Sequence, residues 1–417
     1  MPATLPNGLS YLVEIAFPSS ATWGNSFILD SPTRGKLNDT TYTLGGSVWA
    51  DVSSDVIAVS VRRGRSTDTD LFQSGSCMIQ LRNDSRQYDP LNTAGTYYGG
   101  IVPRLPVRVT AGGVRLFSGY VYDMNFNYDK PLTTRDISVM DITCTDAFSI
   151  LAEQQLTAHT PTQQGSGARV SAVLNRSEVA FPSTRNIATG SSTLGTQAVD
   201  AGTNVLEYLQ QVTASEQGFL FVSGDGLLTF LGRNDVVSTS ASMTFADDGT
   251  GTPYQTFQMD YGSELLFNRV VVSREGGSTY TKTNTASIAD YLTKSLTLGD
   301  LLVSTDAQAE TIADSLISRY SQPEVRFSEV STVIESAAGK FLNVLNLELG
   351  DVVTVKKSFK TGAPSSISKT CLVQGLTHSI SPSAHRVVVD LTTVDNRAFL
   401  RLDNTTFGIL DTNRLGY

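Results

Sequence analysis

The chain has 417 residues, of which 40% are hydrophobic and 17% are charged, and its formal net charge is −9 at pH 7. This composition is typical of a globular protein and excludes a largely disordered one. The length favours two to four domains. The acidic balance counts against a protein that grips duplex DNA, because such binding depends on lysine and arginine side chains that neutralise phosphates.

The three cysteines, Cys77, Cys144 and Cys371, lie far apart and show neither a disulfide framework nor the spacing of zinc ligands. We predict that each is a small buried hydrophobic residue in a protein made under reducing conditions. The N-terminus lacks a basic segment followed by an apolar core, and no run of about 18 apolar residues occurs. The sequence therefore predicts neither a signal peptide nor stable membrane insertion.

Short segments of alternating hydrophobicity run through residues 1–145. Ile57, Val59 and Val61 alternate with polar or small residues, a pattern typical of half-buried strands. The pair Gly112-Gly113 separates two such segments and predicts a hairpin, because adjacent glycines allow the positive φ of tight turns. We predict one antiparallel β domain over residues 1–145, a barrel or a sandwich.

The hydrophobic period changes after this domain. Thr145 is predicted to cap a short helix, and a second helix is predicted to begin at Asn204, with Glu207 as its capping-box partner. Residues 157–200 are polar and rich in Gly, Ser and Thr, which predicts a long loop. A hairpin should follow over residues 219–231. We therefore predict an α/β insert over residues 146–236, with a polar excursion at 157–200.

Residues 237–417 return mostly to strand patterns. The exception is a predicted helix that Thr305 caps, with Ile312 and Leu316 on its apolar stripe and Pro323 closing the segment. The sequence thus predicts a second β domain over residues 237–417 that carries one helix. A duplicated β domain fits this plan, although no convincing internal sequence repeat is present.

Motifs that indicate an enzyme are absent from the sequence. It contains no G-x-S-x-G elbow, no phosphate-binding P-loop and no glycine-rich dinucleotide motif after a strand. We interpret His159, His378 and His385 as surface or turn residues, because no acidic or histidine cluster at metal spacing accompanies them. Asp247-Asp248 misses the spacing of a calcium loop. We predict a non-enzymatic protein with no catalytic residue, cofactor or metal.

Seven residues are candidates for contacts with other subunits. The basic ones could be solvated strand ends or a polar subunit contact, since arginine is enriched at interfaces. The two tyrosines begin a rigid Tyr-Tyr-Gly-Gly loop and could form the edge of the core, a sugar-stacking surface or a subunit contact. The candidates are Arg62, Arg63, Arg65, Arg82, Arg86, Tyr97 and Tyr98.

The first half of the chain carries an ordered set of short motifs: Arg63-Gly64-Arg65, Asn83, Tyr88-Asp89-Pro90-Leu91-Asn92, Pro103 to Arg108 and Phe117-Ser118-Gly119. This set resembles the N-terminal domain of phage minor tail proteins. Later blocks also resemble that family, in the order NRVVVSREGG, TASIADYLTKSLTL, AETIADSLISRYSQPEVRFSEV and LELGDVVTV. The order of the blocks along nearly the whole chain is more specific than any single block.

The resemblance implies a tail hub protein of long-tailed, siphovirus-type bacteriophages, similar to the myophage baseplate hub. It implies a mainly β fold with two tail-tube-like antiparallel β-barrels and an inserted α/β subdomain. Three such chains would form a ring with pseudo-sixfold symmetry. The implied partners are a distal tail protein, the C-terminus of the tape measure protein and tail fibre or tip proteins, with DNA only in passage.

The implied location is the virion tail tip, after assembly in the host cytoplasm. We expect no appended peptidoglycan-cleaving or receptor-binding domain, because the sequence ends soon after the second β domain. An acidic or neutral channel wall is expected, since negative charge repels phosphate. Three alternatives stay open: a hexameric distal tail ring protein, a carbohydrate-binding adhesin that uses Tyr97, Tyr98 or the 157–200 loop, and a tail-associated hydrolase.

Overall fold

A computed structural model describes residues 5–18, 47–128, 138–181, 184–236, 240–336, 339–394, 399–400 and 414–415. We call the part formed by β1 to β7 the first β unit. Its strands are β1 Tyr11–Pro18, β2 Ser47–Asp51, β3 Val56–Gly64, β4 Gln73–Arg82, β5 Pro106–Ala111, β6 Val114–Tyr128 and β7 Ser138–Thr145. A single 3-10 turn at Ser53–Asp55 precedes β3.

The first α/β insert follows β7. Its elements are α1 Phe148–Ala152, β8 Gln164–Gly165, α2 Ser166–Leu174, β9 Arg185–Ile187, β10 Thr193–Leu194, α3 Val205–Glu216, β11 Phe219–Val222 and β12 Leu228–Leu231. As predicted, the Asn204 side chain caps α3 by accepting a hydrogen bond from the backbone N–H of Glu207. The predicted hairpin is β11–β12.

The second half of the chain supplies the second β unit, formed by β13, β14 and β18 to β21, and a second α/β insert between β14 and β18. The elements are β13 Met243–Ala246, β14 Thr256–Asp260, β15 Arg269–Arg274, β16 Thr279–Thr283, α4 Thr285–Tyr291, β17 Ser295–Leu301, α5 Asp306–Tyr320, β18 Arg326–Val333, α6 Lys340–Leu345, β19 Val352–Ser358, β20 Ser366–Ile380, β21 His385–Thr393, β22 Phe399–Leu400 and β23 Arg414–Leu415. The predicted mainly β fold class is confirmed.

Three local predictions need correction. Thr145 is the last residue of β7, and Ala147 rather than Thr145 occupies the N-cap of α1. The stretch 157–200 is not one long loop, because it contains α2 and three short strands. The segment 237–417 carries α4, α5 and α6 rather than one helix. The boundaries between the domains stay a prediction.

Thirteen of the described strands form one sheet that runs through both β units. In the first unit, neighbouring strands follow the order β3-β4-β7-β6-β5, and in the second they follow β14-β18-β21-β20-β19, with every pair antiparallel. The two units therefore share one topology. β6 and its equivalent β20 even carry a bulge at matching places, between Val121 and Asp123 and between Val373 and Gly375.

The sheet folds back on itself at these two long strands. β6 pairs with β5 through its first half and with β7 through its second half, and β20 pairs in the same way with β19 and β21. The apolar side chains of both layers meet in one core cluster. A separate core lies in the second α/β insert, where Ile312 and Leu316 of α5 pack on Val270 and Val272 of β15.

Candidate functional site

We call the eight strands β14-β18-β21-β20-β3-β4-β7-β6 the central sheet, because each β unit contributes four of them. Side chains alternate between its two faces. One face is core: Val61, Cys77, Ile142 and Val389 are all 1% exposed or less. The opposite face we call the polar face. It carries Ser60, Arg62, Ser76, Met78, Gln80, Arg82, Asp123, Asn125, Asn127, Val139, Asp141, Thr143, Thr256, Gln258, Asp260, Arg326, Glu329, Ser331, Thr377, Ser379, Arg386, Val388 and Asp390.

The polar face is slightly acidic, since it holds four arginines and five carboxylates. Side chains on adjacent strands contact each other across it. Gln80 donates a hydrogen bond of 2.9 Å to Asp141, and the Arg62 guanidinium lies 3.5 Å from the Asp390 carboxylate. Burial, helped by nearby Glu329, raises the pKa of Asp390 to about 6, while Arg62 acts in the opposite direction.

The two β units meet where β3 pairs with β20. We call this contact the seam; it runs from the pair Gly64–Gly375 to the pair Val59–Ile380. Gly64 has a φ of +95°, and a Cβ atom there would lie 2.2 Å from the Gln374 carbonyl oxygen. Only glycine fits this position, because other residues rarely adopt such a φ and would also collide with β20.

Arg63 lies inside the protomer beside the seam, with 4% of its side chain exposed. Its guanidinium lies 2.5 Å from the Glu348 carboxylate and 3.5 Å from the carbonyl oxygen of Val222. Glu348 in turn accepts a hydrogen bond of 2.9 Å from the Gly224 N–H. Arg63 therefore joins the first β unit, the β11–β12 hairpin and the segment before β19, all within one chain.

Arg65 makes a second internal junction. Its guanidinium stacks over the rings of Phe72 and Phe219, 4.5 and 4.9 Å from their centroids, and it pairs with Asp68 at 3.2 Å. Asp68 also accepts hydrogen bonds from Arg319 and from the Tyr320 hydroxyl of α5. Arg63 and Arg65 thus bind other parts of their own chain, and a contact of either with another subunit stays a prediction.

The remaining candidates divide between surface and core edge. Arg62 is half-exposed on the polar face, Arg82 is exposed at the end of β4, and Arg86 pairs with Asp89 while its side chain stays 46% exposed. Tyr97 packs on the core edge, where it stacks on Phe17 and Tyr88. Tyr98 points outward and is 45% exposed. Their role in subunit contacts stays a prediction.

The core side of the seam holds a buried polar chain that sequence reasoning missed. The Tyr11 hydroxyl lies 2.9 Å from His385 Nδ1, and His385 Nε2 lies 3.1 Å from His378 Nδ1. The interpretation of His378 and His385 as surface or turn residues was wrong, because both side chains are 1% exposed or less. Burial lowers the pKa of His378 well below its usual value and that of His385 to about 3, so both rings are neutral at pH 7.

Asp247 and Asp248 already have cationic partners in the protein. Lys357 lies 2.7 Å from Asp247, and Lys356 lies 2.5 Å from Asp248. Each carboxylate is therefore already neutralised by a lysine. Among the described residues, no group of three or more histidine, cysteine or acidic side chains is arranged to hold a metal.

Sequence patterns carried no signal for Asp68, Glu348 or Tyr11, although each joins two parts of the molecule. Their partners lie tens to hundreds of residues away, beyond the reach of any local periodicity. Within the part of the chain that the structure describes, no helix is both long and apolar enough to cross a membrane.

No family model matches the chain, and no curated protein matches it in sequence. Its fold nevertheless resembles solved structures. The 43 kDa tail protein of prophage MuSo2 from Shewanella oneidensis matches with a TM-score of 0.56 and 14% identity, over 84% of this chain and 97% of that one. A tail protein from Neisseria meningitidis MC58 matches with a TM-score of 0.54 and 11% identity, over 92% and 96% of the two chains. The resemblance to phage tail proteins is confirmed at the level of the fold.

Proposed function

We propose that this chain, which has the fold of prophage tail proteins, is a structural hub protein of a bacteriophage tail tip and forms a ring around a passage for DNA. The observation that carries the proposal is the central sheet. It crosses from one β unit to the other through the seam, with one face in the core and a continuous polar face on the other side.

A wall of this kind suits a conduit. Five carboxylates against four arginines leave the polar face with a small excess of negative charge, which repels phosphate. Two of the arginines also have partners on the protein: Arg62 pairs with Asp390, and Arg386 donates a hydrogen bond of 3.1 Å to Ser331. DNA would therefore pass along this face without being held.

The shared topology of the two β units supports a trimer. Two like-folded units in each chain present the central-sheet surface twice, so three chains would present it six times and could match a hexameric tube. We infer that the hub contacts a distal tail protein on one side and tail fibre or tip proteins on the other, with the C-terminus of the tape measure protein at the passage. Its role would be structural and its place the virion tail tip.

The mass of the assembly tests the proposal. Native mass spectrometry of the purified protein should show three chains of 44.8 kDa at micromolar concentration. Cryo-electron microscopy of the phage particle, with this chain labelled, should place the ring at the tail tip with the polar face toward the axis. Six chains would favour the distal ring alternative. A channel wall formed by another surface would overturn the assignment of the polar face.

A further inference from the structure

Two strands of the central sheet have an unpaired edge. Among the described residues, β14 pairs only with β18, and the second half of β6 pairs only with β7. These edges carry four large exposed side chains: Tyr122 at 66%, Tyr128 at 51%, Met259 at 44% and Tyr261 at 68%. Unpaired strand edges with apolar side chains are sites where another strand adds.

The strands equivalent to these two edges already pair with each other inside the protomer. β14 corresponds to β3, β6 corresponds to β20, and the seam is the β3–β20 pair. The bulges of β6 and β20 fall at matching places, and from these two strands the cross-strand register can be followed through β7 and β4 to β3 and through β21 and β18 to β14. In that alignment Phe126 corresponds to His378 and Met259 to Val61, which are partners across the seam.

If β14 and β6 pair with the register of the seam, side chains of similar polarity lie opposite each other. On the core side, Phe126 would face Met259 and Tyr128 would face Phe257. On the polar face, Asn125 would face Asp260 and Asn127 would face Gln258. The alignment rests on topology and bulge position alone, so the match in chemistry is independent support. Apolar cross-strand pairs and pairs of hydrogen-bonding side chains both stabilise a sheet.

We propose that β14 of one protomer pairs antiparallel with the second half of β6 in a second copy of this chain and repeats the seam between subunits. This inference rests on the proposed ring function and names the interface that builds the ring. The contact is head to tail, so it generates a closed ring when the rotation closes. It also carries the polar face from one protomer to the next. Pairing through the edge of β2 would not continue the polar face between protomers, because β2 lies behind the central sheet beside β1.

A disulfide cross-link tests the register. Asn127→Cys and Gln258→Cys replace two residues of the polar face that the seam register places opposite each other. The native cysteines do not interfere, because all three are buried. Under mild oxidation the double variant should give covalent dimers and trimers on a non-reducing gel. The single variants should not, since each lacks the second thiol.

The matched control is Asp123→Cys with Gln258→Cys. Asp123 lies on the same face of β6, four residues from Asn127, and four residues of strand span roughly 13 Å. A disulfide cannot bridge that distance, so this pair should stay unlinked. Two outcomes would overturn the β14–β6 pairing but not the ring. One is equal cross-linking of both cysteine pairs. The other is no cross-linking of Asn127→Cys with Gln258→Cys although the wild-type protein forms a ring. A wild-type protein that stays monomeric would overturn the ring, and the interface with it.

A charge substitution gives a second measurement. Met259→Lys places an ammonium group in the proposed interface and should raise the dissociation constant of the assembly about tenfold or more, since burying an unpaired charge is unfavourable. Leu91→Lys alters a side chain that is 81% exposed on the loop after β4 and should change the constant less than twofold. Circular dichroism should show both variants folded. Equal effects of the two substitutions would count against β14 as the interface.

Discussion

The two β units place the same strand in opposite surroundings. In the first unit, β3 pairs on both sides, and Val61 is fully buried. In the second unit, the equivalent strand β14 pairs on one side, and Met259, the counterpart of Val61, is 44% exposed. Topology alone therefore does not bury a strand of this fold. A neighbouring unit does, and among the described residues only β3 has that neighbour.

The side chains at the ends of the two strands reflect this difference. After Val61 the first unit continues with Arg62, Arg63 and Gly64, which bind residues of the second unit or approach its backbone closely. After Met259 the second unit continues with Asp260, Tyr261 and Gly262, which are exposed. Equivalent positions can thus be substituted in pairs, with the second unit as the control.

The largest difference is expected for the two glycines. Gly64→Ala should lower the free energy of unfolding by roughly 3 kcal/mol or more, because it combines a positive φ with a collision against β20. Gly262→Ala should change it by less than about 0.5 kcal/mol, since no atom lies within 4 Å of a Cβ built there. Urea denaturation at a protein concentration where the chain is monomeric measures both. Similar losses of unfolding free energy at Gly64 and Gly262 would contradict the proposed difference between the two positions.

A smaller difference is expected one residue earlier. Arg63→Ala removes a buried guanidinium from Glu348 and should cost about 2 kcal/mol, less than a fully buried pair because Glu348 is one-third exposed. Tyr261→Ala, at the equivalent exposed position, should cost little in the monomer. A double-mutant cycle of Arg63→Ala with Glu348→Gln should show that the two losses are coupled. If the two losses of unfolding free energy are additive, the Arg63–Glu348 ion pair does not contribute to stability.

The seam should also be sensitive to acid. His378 is neutral in the folded protein, whereas in the unfolded chain it binds a proton below about pH 6.5, so its burial makes stability fall as the pH falls. His378→Phe copies the equivalent Phe126 of the first unit. It should flatten the decline in unfolding free energy between pH 7.5 and 5.5 by about 1.4 kcal/mol.

The wild-type protein is the necessary reference for that measurement. Burial raises the pKa of Asp146 and of Asp390 to about 6, so both carboxyl groups bind protons in the folded state before they do in the unfolded chain. They therefore add stability as the pH falls, against the effect of His378 and His385. Asp146, Asp390 and His385 are present in both proteins. Parallel pH curves for the variant and the wild type would show that His378 does not titrate as described.

The smallest effect is expected at a pair of acidic residues that occurs in the second unit. Because Lys357 and Lys356 neutralise Asp247 and Asp248, millimolar Ca²⁺ or a chelator should leave the thermal midpoint of unfolding unchanged. Differential scanning fluorimetry is sufficient for this test. A rise of several degrees with Ca²⁺ would show that the ion displaces the lysines and that the carboxylates form a metal site.

Sequence reasoning succeeded where the information is local. The capped starts of α3 and α5 were predictable, because Asn204 and Thr305 bind N–H groups three residues away. The strands β3 and β4 were predictable from alternation over a few residues. It failed at 157–200, which was predicted to be a loop but contains α2, a helix whose Arg169 is buried.

By itself, the sequence determined the mainly β character, the helix starts, the hairpins and a resemblance to tail proteins, since each depends on neighbouring residues. Only the tertiary structure decided that β3 pairs with β20, that His378 and His385 are buried together and that Arg63 binds Glu348. These contacts join segments that lie up to about 300 residues apart or depend on such a pairing. A strand of alternating valines and serines could pair with many other strands, so the packing of the whole chain determines which strand it pairs with.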